Sequence, residues 1–346
     1  MTEYILFPKH TKIRDTYTID SFLGKGAFGS VYMVRHKYLG IQVLKIFHPG
    51  IIPKEQEPEL FNEAYILSKI THENIVRVYE ANTFEYNGNR YCYIAMEYVK
   101  DGTLSSYIER FVRLPVDMAI EIQRGICCGL AQLHKSVPPL VHRDVKPQNI
   151  MINMTNRIIA KVSDFGLVKH VDPVTRMTEA AGTLTYLPPE GFWGYETPAS
   201  DVFSAGIIFY IMLTGVVPFK IPVVHKCIKG DELKNAIIAS RNKKPEPTSK
   251  FNLDLDDEIN DIVLKALEPN IKKRYQDAGL FLNAIDQYQL EKFRLPGENV
   301  KKALELGKQY TNLKMAIDLL EKAIAQYPKD KQRELKEKYK RTLDNW

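Results

Sequence analysis

The first hundred positions carry short β-leaning runs. Tyr17 to Leu23 leads into a glycine-rich stretch and Val31-Tyr32-Met33-Val34 leads out of it, which predicts a hairpin. Ile41 to Phe47 is a brief apolar run with one lysine, Lys45, inside it. Tyr93 to Val99 predicts a further strand, closed by the turn signal Lys100-Asp101-Gly102. Between these strands the period changes. In Phe61 to Ile70, Ala64, Leu67 and Ile70 fall along one side of a predicted helix, with Glu63 beside that stripe. Further on, Val202 to Leu213 is an apolar helix with Asp201 at its start, where capping and the helix dipole favour a carboxylate without further reason.

After Leu295-Pro296-Gly297 three helical patterns follow one another. The first is Val300, Ala303, Leu304 and Gly307. The second is Ala316, Leu319, Leu320, Ala323 and Ile324, ending before Pro328; the third runs through Leu335, Tyr339, Leu343 and Trp346.

Chemistry enters with the polar residues inside these elements. A buried, unpaired ammonium is costly, so Lys45 needs an anionic partner, and Glu63 on the neighbouring helix is placed to supply it. The hairpin tip, Gly24-Lys25-Gly26-Ala27-Phe28-Gly29, lets backbone amides approach an anionic phosphate with no Cβ in the way. Two further runs, His142-Arg143-Asp144-Val145-Lys146-Pro147-Gln148-Asn149 and Asp164-Phe165-Gly166, set a base and two hard-cation ligands at the spacing phosphoryl transfer uses.

Taken in this order, the motifs resemble those of the eukaryotic-type (Hanks-type) serine/threonine protein kinases, in the style of bacterial members. The resemblance implies an α+β, two-lobed kinase fold. A β-rich lobe would span about 17–99 and a mainly helical lobe about 100–293, within a kinase domain at 1–293. It implies ATP and Mg2+ as cofactors. Asp144 would orient the substrate hydroxyl and accept its proton, Lys146 would neutralise the γ-phosphate, and Lys45, held by Glu63, would bind the α- and β-phosphates. Asn149 and Asp164 would hold the metal. The nucleotide would lie among Leu23, Gly24, Gly26, Phe28, Gly29, Val31, Val43, Met96, Glu97, Val99 and Met151. Val43 stands where the family usually has alanine, which tightens the adenine pocket.

The Asp-x-Lys-Pro-x-Asn pattern from Asp144 to Asn149 resembles the serine/threonine branch. Gly182-Thr183-Leu184-Thr185-Tyr186-Leu187-Pro188-Pro189-Glu190 looks like its substrate-docking segment, with Thr183 placed to bond Asp144 and Lys146. Glu190 is expected to pair with Arg274, and Asp201 to brace the catalytic loop. Arg143 resembles the arginine that meets an activation-segment phosphate in such kinases, so Thr175 or Thr178 is expected to be an autophosphorylation site.

Composition adds limits. The net charge of +6 over 346 residues is a mild excess, with no arginine-rich or aromatic-interleaved patch that would argue for nucleic acid. Cys92, Cys127, Cys128 and Cys227 lack metal-ligand spacing and read as buried thiols in a reducing cytosol. The longest apolar run, Ala205 to Leu213, is far short of a membrane span, and no signal peptide is visible. A soluble, cytoplasmic enzyme acting on protein substrates is expected, without a membrane or nucleic-acid partner. The tail, 297–346, carries twelve basic and eight acidic residues from Leu295 onward. Its Ala316, Leu320, Ala323 and Pro328 resemble the second helix of a tetratricopeptide repeat, with Leu306-Gly307 and Tyr310 resembling the first. A lone repeat cannot bury its own apolar face, so the tail either packs on the kinase or offers a surface to a partner or a second copy. The alternative to an enzyme is a catalytically silent pseudokinase scaffold acting through that tail. It is weakened because the base, the metal ligands and the lysine are all in place.

Overall fold

The computed structural model of the chain describes residues 7–26, 28–155, 157–164, 183–220, 231–290 and 313–345. A six-stranded antiparallel sheet comes first, built from β1 (Lys12–Ile13), β2 (Tyr17–Lys25), β3 (Gly29–His36), β4 (Gly40–Phe47), β5 (Val78–Tyr86) and β6 (Asn89–Glu97), in the order β1-β2-β3-β4-β6-β5. The helix α1 (Glu57–Ser68) is inserted after β4. Of the stripe expected from the sequence, Ala64 and Leu67 are buried on this helix and are joined by Leu60, whereas Ile70 lies beyond its end at Ser68.

The period of two gives the sheet two apolar faces. Tyr32, Leu44, Ile46, Tyr93 and Ala95 point one way, into an aromatic cluster closed by Phe7, Tyr17, Phe84 and Tyr91. Phe7 meets the rings of Tyr32 and Tyr91 edge-on at 5.6 and 5.2 Å. On the opposite face Phe47 and Ile94 join the α1 stripe and a core that continues into the helical part of the molecule.

That helical part holds α2 (Leu104–Arg110), α3 (Val116–His134), the hairpin β7 (Ile150–Met154) and β8 (Ile158–Val162), α4 (Pro198–Thr214), α5 (Asp231–Arg241), α6 (Asp257–Ala266) and α7, which covers 278–290. Every residue of α4 from Ala199 to Thr214 is buried, as befits a helix that is apolar all round. Its N-cap is Thr197, in a capping box with Ser200. Asp201 therefore lies inside the first turn and is not needed as the cap. The β7–β8 hairpin is stitched to the segment after α1 by Val76 N–H to Val162 O and Val162 N–H to Asn74 O, both 2.9 Å.

In the tail, α8 (Leu313–Ala325) and α9 (Lys329–Asn345) pack on each other through Leu320, Ala323, Ile324 and Leu335, with Tyr327 and Tyr339 alongside. The second and third tail patterns thus become helices. The first pattern, Val300, Ala303, Leu304 and Gly307, lies outside the described residues.

Candidate active site

Strand register gathers the predicted nucleotide residues. Val31 lies opposite Lys45, Lys45 opposite Ile94, and Val43 between Met33 and Met96. Opposed residues share a face, so Val31, Val43, Lys45 and Met96 all project to the side of the sheet that bears α1. Gly24 is paired with Val31 at the hairpin tip, where Gly26 N–H donates to Gly29 O at 2.8 Å. The glycines divide by role. A Cβ on Gly24 would meet nothing within 4 Å, whereas one on Gly29 would land on the Ile46 carbonyl of β4. Gly29 is thus demanded by strand packing, and the open space at Gly24 is what a phosphate-approaching loop needs. Leu23 is exposed, Phe28 packs against the core, and Val99 is buried. Glu97 donates its backbone N–H to Arg77 O at 2.8 Å, and its carboxylate takes the Lys161 ammonium of β8 at 2.9 Å. Met151 of β7 bridges to Thr103 beyond this connection.

The ammonium of Lys45 donates to Asp164 Oδ1 at 2.8 Å. The pairing with Glu63 expected from sequence is not the one formed: Asp164 is the carboxylate within ion-pair distance of Lys45, and Glu63 is half-buried on α1 with other interactions. The reason lies after β8, where Asp164 adopts a left-handed backbone, φ 55°, that carries its side chain back toward β4. Burial pushes the Asp164 carboxyl up, but the charge and hydrogen bond of Lys45, aided by Lys146 and His142, outweigh it and hold the group below the usual carboxylate range.

The β7–β8 hairpin explains the spacing between the two expected metal ligands. Ile150 pairs with Val162, so Asn149 and Ser163 sit side by side, and Ser163 N–H and Oγ both donate to Asn149 O, at 2.8 and 3.0 Å. Asn149 spends its amide NH2 on Asp144, donating to the backbone O at 2.8 Å and to Oδ2 at 2.9 Å. Its Oδ1 is the acceptor that remains, next to an ionised Asp164. An amide oxygen beside a carboxylate is a donor set that suits a hard divalent cation whose other positions go to phosphate and water.

Asp144 is one-third exposed, and its Oδ2 also takes Lys146 Nζ at 2.7 Å. Both side-chain contacts fall on one oxygen, which leaves Oδ1 to receive a proton. The loop bearing Asp144 is held from beneath by Asp201, 1% exposed, whose Oδ2 accepts from His142 N–H at 2.7 Å and whose Oδ1 accepts from Arg143 N–H at 2.9 Å. His134 of α3 adds a third bond to Asp201 Oδ2, 2.9 Å from Nε2. Its Nδ1 accepts from Ala278 N–H, which puts the proton on Nε2. His142 is itself buried, with Nδ1 accepting from Asp144 N–H and Nε2 meeting Ser163 O at 2.9 Å, so it joins Asp144 to the strand that carries Asp164. Arg143 sits at φ 69°, a left-handed conformation that its bond to Asp201 helps to hold. The Arg143 side chain faces Glu196, with Nε 3.5 Å from Oε2. Thr175 and Thr178, the expected partners of Arg143 once phosphorylated, lie outside the described residues, as does the side chain of Thr183.

Glu190 and Arg274 meet as the sequence suggests. Arg274 Nη1 donates to Glu190 Oε1 at 2.7 Å and to Ala199 O at 2.8 Å, Nε donates to Glu268 O, and Ser200 Oγ donates to the same Glu190 oxygen. The guanidinium, fully buried, lies over the Phe203 ring at 4.7 Å. This network fixes the end of the docking segment to the start of α4. Sequence reasoning missed His134, Glu196, Ser204 and Arg241, all of which touch the catalytic loop, its brace or the docking segment. None carries a local signal, because each acts across a long stretch of chain.

A small sheet-and-helix lobe and a helical lobe, with a base, two metal-type ligands and an ionic lysine converging near the β7–β8 hairpin, define the protein kinase architecture. The chain belongs to the protein kinase domain family, whose model matches residues 17–284. It is 32% identical over 283 residues to the serine/threonine-protein kinase PknB of Mycobacterium leprae, covering 78% of this chain and 42% of that protein. To a probable serine/threonine-protein kinase of Clostridium perfringens it is 32% identical over 276 residues, covering 78% and 38%. The chain therefore spans about four-tenths of the length of these two curated relatives. The crystal structure of the Mycobacterium tuberculosis PknI kinase domain superimposes with a TM-score of 0.60 at 22% identity, over 81% of this chain and 99% of that one, a likeness of fold. Family membership carries with it the use of ATP and a divalent metal.

Proposed function

We propose that the protein is a serine/threonine protein kinase that transfers the γ-phosphoryl group of Mg2+-ATP to serine or threonine hydroxyls of proteins. The observation that carries this reading is Asp144, with Oδ2 occupied by Lys146 and Asn149 and Oδ1 available, beside an ionised Asp164. In this reading Asp144 Oδ1 orients the acceptor hydroxyl and takes its proton as the oxygen attacks. Lys146 supplies positive charge beside the transferring group, and Lys45 shifts from Asp164 to the α- and β-phosphates. When bound, Mg2+ neutralises phosphate charge, held by Asn149 Oδ1 and Asp164. Little covalent work is asked of the protein; positioning and charge do most of it.

The serine/threonine assignment rests on Lys146, placed two residues after the base, and on the names of the relatives. We assign residues 1–293 to the kinase and 297–346 to a helical extension that serves a protein partner or self-association. Among the described residues no helix is long and apolar enough to cross a membrane. The buried Cys92 and Cys127 suit a reducing compartment, and we place the enzyme in the cytoplasm. Autophosphorylation at Thr175 or Thr178 would set a phosphate against Glu196 in competition for Arg143.

The test is incorporation of labelled phosphate from Mg2+-ATP into the protein itself and into myelin basic protein, comparing wild type with Asp144→Asn, followed by phosphoamino-acid analysis. Phosphoserine or phosphothreonine in wild type alone is the expected result. No incorporation in either, with Mg2+-ATP bound by both, would sink the proposal in favour of a scaffold.

A further inference from the structure

Arg241 ends α5 and is fully buried, 0% exposed, yet no carboxylate lies within ion-pair distance of it among the described residues. Its hydrogen bonds all go to main-chain carbonyls of one segment. Nη2 donates to Leu184 O and Thr185 O, both at 2.9 Å, and Nε donates to Leu187 O at 3.4 Å. The one carbonyl skipped in this run, Tyr186 O, accepts from Ser204 Oγ of α4 at 2.8 Å. Four successive carbonyls are thus held by side chains of two helices. The guanidinium also lies over the Phe219 ring at 4.9 Å, and the Leu184, Phe192 and Ile237 cluster borders it.

From this arrangement we infer that Arg241 is a positioning residue for the phosphate acceptor. It sets the docking segment, residues 184–187, at a fixed height on the helical lobe by clamping its carbonyls from behind, with Ser204 as its assistant. The inference rests on reading that segment as the acceptor platform.

Stability alone is a poor account of Arg241. Burial without a counter-ion lowers its pKa from the ordinary value to about 10, and Nη1 has no hydrogen-bond partner among the described residues. A well-packed apolar side chain would avoid both penalties. What an apolar residue cannot do is order a stretch of backbone that belongs to no strand. Lysine would not replace it, since one ammonium cannot match the planar fork that reaches three carbonyls. Arg274, by contrast, has its carboxylate in Glu190, so the two buried arginines do different work. Arg274 anchors the end of the segment, and Arg241 its body.

The test uses the full chain, with Arg241→Met, Arg241→Lys and Ser204→Ala compared with wild type. Steady-state KM is measured for myelin basic protein and for ATP, alongside hydrogen exchange of the 184–187 amides. Arg241→Met is expected to raise the KM for the acceptor about tenfold or more, the scale of one lost charge-assisted hydrogen bond. The KM for ATP should change less than twofold, and exchange at 184–187 should accelerate. Arg241→Lys and Ser204→Ala should show the same split to a smaller degree, and they carry the test if Arg241→Met fails to fold. Equal rises in both KM values, or an unchanged acceptor KM with an active wild type, would overturn the inference. A wild type that phosphorylates neither itself nor the acceptor would instead overturn the kinase reading beneath it, while accelerated exchange in Arg241→Lys would still support the clamp.

Discussion

Asp201→Asn is the substitution that most directly tests how the catalytic loop is held. The side chain is buried and accepts three hydrogen bonds, two on Oδ2 from His142 N–H and His134 Nε2 and one on Oδ1 from Arg143 N–H. Asparagine keeps the shape but has only one carbonyl oxygen. With that oxygen in the Oδ2 position, its NH2 faces the Arg143 N–H, donor against donor. An unsatisfied buried donor costs about 1–3 kcal/mol, and the two surviving bonds lose their charge assistance, so about 3 kcal/mol is expected in all. For a chain of 346 residues, at about 2.1 cal/mol/K of unfolding entropy per residue, that is a fall in Tm of roughly 4 °C. The rate should suffer separately. Arg143 sits at φ 69°, a conformation that costs an L-residue about 1–2 kcal/mol, and its bond to Asp201 opposes relaxation. Once that bond is gone the backbone next to Asp144 shifts, and a misplacement near 1 Å lowers kcat by about 100-fold. Thermal unfolding and steady-state phosphate transfer measure the two effects. A variant that melts within 1 °C of wild type on this roughly 3 kcal/mol scale would refute the hydrogen-bond account. One that loses stability but keeps wild-type kcat would refute the coupling of the brace to the base.

Gly29→Ala places a methyl on the Ile46 carbonyl and should destabilise the protein by about 1–3 kcal/mol in urea unfolding, while Gly24→Ala, with nothing within 4 Å, should leave stability unchanged and alter only nucleotide binding. Equal losses from both would mean the loop is packed differently. Arg274→Met leaves the half-buried Glu190 without its cation and should cost about 3 kcal/mol, part of which returns in the double variant with Glu190→Gln; additive losses in that double-mutant cycle would show that the pair is not coupled. Asp164 has a folded-state pKa below its unfolded value, so its contribution to stability is present above the ordinary carboxylate range and is lost as pH falls through the lowered value. Lys45→Met removes the main cause of that lowering and leaves burial to push the carboxyl up, so it should reduce stability near neutral pH and shrink the further loss on acidification; unfolding profiles between about pH 2 and 7 that run parallel for the two proteins would contradict the assignment.

Much of this molecule was legible from nearest neighbours along the chain. The β2–β3 hairpin follows from β-leaning runs around Gly24 to Gly29, and α1 from the spacing of Ala64 and Leu67, because side-chain period and turn chemistry act over a few residues. The pairing of Asn149 with Asp164 was implied only by the resemblance to kinase motifs, and the hairpin that joins them is a finding of the structure. The resemblance to kinase motifs likewise pointed to Lys45, Asp144, Lys146, Glu190 and Arg274.

Which charge meets which was decided only in three dimensions. Lys45 reaches Asp164 across 119 positions, although Glu63 is nearer in the chain, because the left-handed turn at Asp164 and the β4 register bring those two side chains together. Asp201 was open to two readings, a helix-start carboxylate and a brace for the catalytic loop; Thr197 and Ser200 perform the capping, and both Asp201 oxygens serve the loop. Nothing in the local sequence marked Arg241. Its burial against Leu184, Thr185 and Leu187 depends on how α5 and α4 pack around a segment that has no strand partner of its own. Local periods determine elements, whereas the pairing of buried polar groups depends on packing between elements distant in the chain.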